Sequence, residues 1–212
     1  MKPFIDRRDA GIQLAKKLKA YGNQPNLIIL GLPRGGVPVA YEVAKALNAP
    51  LDVLIIRKLG VPGHEELAMG AIASGAQYLN KKLIREQKIS QAAIQKTIQL
   101  EQEELQRREM LYRGDTASPD FSNKTIILID DGIATGATAR VAIQTLNTQQ
   151  PQKIILAIPV AASSICKTLD PLVDELICLQ QPTDLEAVGL WYEDFSQTTD
   201  EEVINLRYNQ RS

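Results

Sequence analysis

Short apolar runs punctuate the chain at residues 27–30, 51–56, 125–129, 153–158 and 175–179, each rich in Ile, Leu and Val on consecutive positions. Half-exposed strands alternate apolar with polar residues; unbroken runs of this length belong to strands covered on both faces. Between them, residues 37–47, 137–147 and 163–169 carry helical spacing. The repeating order predicts an α/β fold: a doubly wound, mainly parallel sheet flanked by helices, with right-handed crossovers. Leu14, Ala15 and Leu18 share one face of an N-terminal helix, with Asp6 and Asp9 placed to cap it, and this helix is expected to cover the first strand. Residues 68–73 and 77–79 read as a hairpin turning at Ser74 and Gly75.

From residue 81 to 113 strand signals vanish and Gln, Glu, Lys and Arg dominate. Ser90 reads as the N-cap of a long helix whose apolar stripe of Ile84, Ile94, Ile98 and Leu105 is interrupted by Gln91 and Glu101. Such a helix is half buried at best. A solvated helix leaning on the core, a homodimer contact and a cover over a site all fit it. With no repeat or linker, residues 1–212 are expected to form one domain carrying this helical insertion and a C-terminal tail from about residue 180.

Composition narrows the function. Lys and Arg number 24 against 25 Asp and Glu, so no global field draws the chain to nucleic acid or to an anionic membrane. Aromatic residues make up only 5%, too few for a base-stacking surface. No segment reaches the roughly 20 apolar residues of a membrane helix, and the first residues lack a secretory apolar region. Two cysteines, Cys166 and Cys178, suit a reducing compartment but lack metal or redox spacing. The expectation is a cytoplasmic protein, without nucleic-acid or membrane partners, whose anionic ligands are held locally.

The chemistry concentrates in IILIDDGIATGAT, residues 126–138. A buried strand delivers Asp130 and Asp131 at its C-terminal end, the edge where ligands bind in open α/β sheets. Ile133, Ala134, Thr135, Gly136, Ala137 and Thr138 then form a small-residue loop leading into a helix, whose amides and two hydroxyls suit a phosphate. Adjacent carboxylates repel phosphate but accept hydrogen bonds from a vicinal diol. A ribose 5-phosphate satisfies both halves.

This stretch resembles the PRPP (phosphoribosyl pyrophosphate) motif of the type I phosphoribosyltransferases, with Ala137 standing where many members have a second glycine. The resemblance implies that Asp130 and Asp131 bind the ribose hydroxyls and that the loop wraps the 5-phosphate. GLPRGGVPVA, residues 31–40, resembles the family's pyrophosphate loop, with Arg34 supplying charge and Gly35 and Gly36 close approach. RKLGVPG, residues 57–63, resembles the mobile catalytic loop. Arg57 and Lys58, taken to end the second strand, would face pyrophosphate, and Glu65 or Glu66 would assist the acceptor or cap the next element. His64, the sole histidine, reads as loop surface rather than a zinc ligand. In the tail, Trp191 and Tyr192 are candidates for hood packing or for stacking on an acceptor base. Nearly the full chain, from FIDRRDAG to WYEDFSQTTDEEV, resembles a bacterial subgroup that carries the phosphoribosyltransferase label with no assigned acceptor.

The implied reaction moves ribose 5-phosphate from PRPP to a nitrogen acceptor of the nucleobase kind. Mg2+ would be held mainly through substrate and water, with Asp130 and Asp131 as candidate contacts. Two rival readings use the same pocket: a PRPP-sensing regulatory or binding protein, and a hydrolase with water as acceptor.

Overall fold

The computed structural model describes residues 2–73, 75–114 and 119–210, with the side chains of Glu65 and Glu66 outside the description. Five strands, β1 (Leu27–Gly31), β2 (Leu51–Val53), β6 (Thr125–Ile129), β7 (Lys153–Val160) and β8 (Glu175–Gln180), form a parallel sheet in the order β2-β1-β6-β7-β8. Consecutive residues face opposite layers, so the central positions of β1, β6 and β7 are apolar without a break. Leu27, Ile29, Ile127, Ile129, Ile155 and Ala157 pack toward α1 (Arg7–Lys17) and α2 (Gly36–Leu47). Their neighbours Ile28, Leu30, Ile126, Leu128, Ile154 and Leu156 pack toward α5 (Ala137–Asn147) and α6 (Ser163–Leu169). This is the doubly wound arrangement, and its strand order reverses between β1 and β6.

A second, antiparallel sheet is built from β3 (Arg57–Val61), β4 (His64–Ala73) and β5 (Ala76–Leu79), with β4 in the middle. The β4–β5 hairpin follows the sequence reading, although Ser74 lies outside the described residues. The reading of residues 51–63 needs correction. The second strand stops at Val53, and Arg57 and Lys58 open β3 instead of ending β2. Leu54 and Ile55 remain buried while the chain crosses between sheets, so the apolar run does not mark the strand end. Gly60, read as part of a loop, sits where the β3–β4 register shifts, the signature of a bulge inside a strand.

The insertion resolves into α3 (Lys81–Glu86) and α4 (Gln91–Arg113), so Ile84 belongs to α3 and not to the long helix's stripe. Asn80 and Ser90 cap these helices by accepting from the amides of Leu83 and Ala93. Ile94, Ile98 and Leu105 of α4 join Leu59, Val61, Met69 and Ile72 in a core shared with the small sheet. At its far end α4 is fastened by charge. Buried Asp52 of β2 accepts from Arg113 of α4 at 3.3 Å and from Arg207 of α7 (Asp200–Asn209) at 2.7 Å.

Asp6 caps α1 as expected, accepting from the Asp9 amide. The helix covers the first strand less than expected, however. It packs on α2 and lies over β7 and β8, because α2, entering directly from β1, already occupies that face.

Candidate functional site

The loops after β1 and β6 emerge side by side at the point where the strand order reverses, and the Leu32 amide donates to the Ile129 carbonyl at 2.9 Å. Asp130 and Asp131 therefore sit against the loop of residues 32–36. A β-carbon on Gly35 would come within 2.0 Å of Asp131 Oδ2, and one on Gly36 within 2.7 Å of the Ile129 carbonyl. The loop's glycines are required by close approach to the acidic pair. Only the Gly35 amide remains for a ligand, since Gly36 N–H donates to the Leu32 carbonyl at 3.0 Å. Gly36, read with Gly35 as allowing close approach to pyrophosphate, thus offers no free amide. Arg34, joined to Pro33 by a cis peptide, reaches Asp200 of α7 at 3.9 Å, and Asp200 also accepts from the Tyr112 hydroxyl of α4.

The two carboxylates differ in environment. Asp130 Oδ1 accepts from the Asp131 amide at 2.9 Å. Burial, and then the neighbouring Asp131 charge, push the Asp130 carboxyl well above the usual carboxylate range. Asp131 Oδ2 is paired instead with Arg7 Nε at 2.8 Å, the two side chains being 15% and 12% exposed. Sequence reading missed Arg7, whose neighbour Asp6 accounts for the motif FIDRRDAG as a helix cap and so hides its second purpose.

Beyond the pair, the loop splits into an anchor and a cradle. Ile133 is buried, and its amide donates to the Val160 carbonyl at 2.9 Å, so this residue ties the loop to β7 and has no free N–H for phosphate, against the sequence expectation. Ala134, Thr135, Ala137 and Thr138 are exposed around the start of α5. Gly136 caps that helix in the left-handed region at φ 76°, and the first-turn amides of α5 lack partners within the helix. Small side chains, two hydroxyls and the positive end of a helix converge there, as anion binding requires.

A cavity of about 820 Å³ opens between the small sheet and α4 and reaches Thr138. Arg57, Lys58, Lys96, Thr97, Leu100 and Glu101 are among its lining residues. Arg57 is held by Glu101, which accepts from Nε at 2.7 Å and lies 2.6 Å from Nη2. Glu101, an interruption of the apolar stripe in sequence, is thus the partner of an expected site cation. The long helix leans on the core through Ile94, Ile98 and Leu105 and also forms a wall of this cavity.

Trp191 and Tyr192 do not line it. Tyr192, 6% exposed, packs between Phe4 and Phe195 and donates its hydroxyl proton to the Asp131 carbonyl. Burial, and next the Asp131 charge, raise that hydroxyl's pKa. Its ring has no face left for an acceptor base. Half-buried Trp191 supplies the carbonyl that accepts from the Phe4 amide. The Glu65 and Glu66 side chains lie outside the described residues, and His64 is exposed at the start of β4. Folding brings Cys166 and Cys178, both free thiols, into one apolar cluster, which their spacing did not reveal, and Cys178 Sγ donates to the Gln180 carbonyl at 3.2 Å.

For a divalent cation, Asp130 Oδ2 and Asp131 Oδ1 are the pair's oxygens without a hydrogen-bond donor among the described residues, where no cluster of three metal-ligating side chains occurs. Two carboxylate oxygens suit a cation that brings its other ligands with it.

The phosphoribosyl transferase domain family matches the chain over residues 6–193. Two curated proteins of Mycobacterium tuberculosis, from strains CDC 1551 / Oshkosh and ATCC 25618 / H37Rv, carry the provisional name phosphoribosyl transferase. Each is 44% identical over 205 residues, covering 96% of this chain and 46% of its own length, so the chain spans about half the length of these relatives. The crystal structure of TT1426 from Thermus thermophilus is 35% identical, covers 99% of both chains and superposes with a TM-score of 0.89. The AQ2163 protein from Aquifex aeolicus, 14% identical with a TM-score of 0.50 over 84% of this chain and 76% of its own, shares the fold alone. With the acidic pair, the glycine loop and the helix-capped cradle meeting at one sheet edge, the chain belongs to the phosphoribosyl transferase domain family, of the type I fold.

Proposed function

We propose that the protein binds Mg-PRPP across the strand-order reversal and transfers its ribosyl 5-phosphate to a nitrogen nucleophile of the nucleobase kind, releasing pyrophosphate. The observation that carries this reading is the junction of two anion-suited loops with a pair of carboxylates between them. Thr135, Thr138 and the first amides of α5 hold the 5-phosphate, and Asp130 and Asp131 accept from the ribose hydroxyls. Arg34 and the Gly35 amide face the pyrophosphate. Lys58 and, once released from Glu101, Arg57 add charge from the cavity side, where the acceptor enters.

During transfer the bond from ribose C1 to the pyrophosphate oxygen breaks with its electron pair leaving on pyrophosphate, and a C1–N bond forms to the acceptor, whose proton passes to water or to the departing pyrophosphate. Positive charge grows on the sugar beside two carboxylates while negative charge grows near the cations, so fixed electrostatics supply the main stabilisation. Magnesium, held by substrate oxygens and reached by Asp130 Oδ2 and Asp131 Oδ1, would neutralise part of the pyrophosphate charge.

Calorimetric titration of PRPP with and without magnesium tests the reading, set against a folded Asp130→Asn, Asp131→Asn double variant. Magnesium-dependent binding lost in the variant is expected, followed by pyrophosphate release on adding an accepted base. A folded wild-type protein that binds no PRPP would overturn it.

A further inference from the structure

Arg7 lies on the first turn of α1, far in sequence from the loops that define the site, yet it makes three contacts around Asp131. Nε donates to Asp131 Oδ2 at 2.8 Å, and Nη1 donates to the Ser196 carbonyl at 2.6 Å. The guanidinium carbon stands 3.9 Å from the centroid of the Phe195 ring, within cation–π range. The Asp131 main chain is gripped from the other side by the Tyr192 hydroxyl. Tyr192 in turn packs at a tilt against Phe4 and Phe195, with centroids 5.4 and 5.0 Å away.

The two ends of the chain are laced together at this place. Phe4 N–H donates to the Trp191 carbonyl at 2.9 Å, Glu193 N–H to the Phe4 carbonyl at 2.8 Å, and Asp194 N–H to the Ile5 carbonyl at 2.9 Å. One product of this lacing is an arginine whose donors are fixed before any ligand arrives. Arginine suits the task because its planar fork can pair with a carboxylate, bond a carbonyl and lie on a ring at once.

We infer that Arg7 is a positioning residue: with Phe195, Ser196 and Tyr192 it fixes Asp131 so that Oδ1 faces the ribose diol. This role rests on the PRPP reading above. An unrestrained Asp131 carboxylate would rotate about its side-chain bonds, and the diol would have to order it on binding. Gly35 limits that rotation on one face, and Arg7 takes the oxygen that would otherwise turn. The consequence is selective. Ligands that present the ribose hydroxyls depend on Arg7, whereas a ligand that presents only pyrophosphate does not.

The test compares calorimetric dissociation constants for PRPP, ribose 5-phosphate and inorganic pyrophosphate in wild type, Arg7→Met, Arg7→Lys and Phe195→Leu, each checked by thermal melting. Arg7→Met is expected to weaken PRPP and ribose 5-phosphate about tenfold while leaving pyrophosphate within about twofold. Arg7→Lys, which keeps the charge but not the fork, recovers part of the loss, and Phe195→Leu shows a smaller shift in the same direction. If Arg7→Met does not fold, the other two variants carry the comparison. Equal weakening of all three ligands, or unchanged PRPP affinity in folded variants, would overturn the role while leaving the functional reading intact. Absence of PRPP binding by wild type would overturn the functional reading and this role with it.

Discussion

The acidic pair follows β6 of the parallel sheet, the cavity wall is made by the small sheet and α4, and the two are built on opposite terms. Asp131 is tied by Arg7, Tyr192 and the close approach of Gly35, on side chains that are largely buried. Arg57, by contrast, is held by one carboxylate oxygen of Glu101, both side chains being 26% exposed, and Lys58 and Lys96 beside it are exposed. Buried, multiply bonded groups resist rearrangement, while a half-exposed ion pair is worth little and exchanges readily for another anion. On the proposed reading, the acidic pair supplies fixed geometry for ribose and the cavity wall adjustable charge for pyrophosphate and acceptor.

Removing the foundation of the wall should have the largest effect. Asp52→Ala leaves Arg113 and Arg207 buried without their shared carboxylate, and a loss of about 3–5 kcal/mol is expected. Urea unfolding would measure it; a loss under about 1 kcal/mol would show that Asp52 does little to hold α4 and α7. Next comes the rigid end. Gly35→Ala drives a methyl group into Asp131 Oδ2, and a fall of about a hundredfold in turnover is expected, the scale of losing one preorganised electrostatic group. Steady-state kinetics with any accepted base would read it, and near-normal turnover would mean that Asp131 is free to move.

Glu101→Gln attacks the adjustable end. Because the pair is partly exposed, its stability cost should stay below about 1 kcal/mol. Arg57 is then released, and pyrophosphate is expected to bind several-fold tighter by calorimetry. Unchanged affinity would place Arg57 outside the pyrophosphate site.

The smallest effect concerns the thiols behind the phosphate loop. Burial, and next the nearby Cys166, push Cys178 up to about 12, and burial likewise raises Cys166. Raised values mean neutral thiols at about pH 8, so a disulfide reagent should react slowly with folded protein and quickly after denaturation. The folded state also holds these protons more tightly than the unfolded state, so their contribution to stability should fall as pH rises from about 9 toward about 12. Rapid labelling of native protein at that mildly alkaline pH would contradict the packed environment of both sulfurs.

The parallel sheet was legible because its central strands β1, β6 and β7 are covered on both faces, leaving unbroken apolar runs. The end of β2 was not, since Leu54 and Ile55 stay buried after the strand has stopped and burial is what an apolar run reports. Gly60 gave the wrong local signal for a related reason: glycine marks a backbone irregularity, and a bulge and a loop both supply one. Capping was read correctly at Asp6 and Ser90, where the hydrogen bond closes within three residues.

The same locality sorts the site. Asp130, Asp131, Gly136 and Thr138 follow one another along the chain, so their shared chemistry is written in a short motif, and the fold class follows from equally local periodicities. Arg7 lies 124 positions from Asp131 and Glu101 lies 44 from Arg57. A charged residue on a helix carries no mark of the partner it will meet. Only the packing of α1 beside the sheet edge, the lacing of residues 4–5 to residues 191–194 and the seating of α4 on the small sheet decided which charges would be paired, which oxygen of Asp131 would stay open, and that Tyr192 would brace the acidic pair instead of lining the cavity.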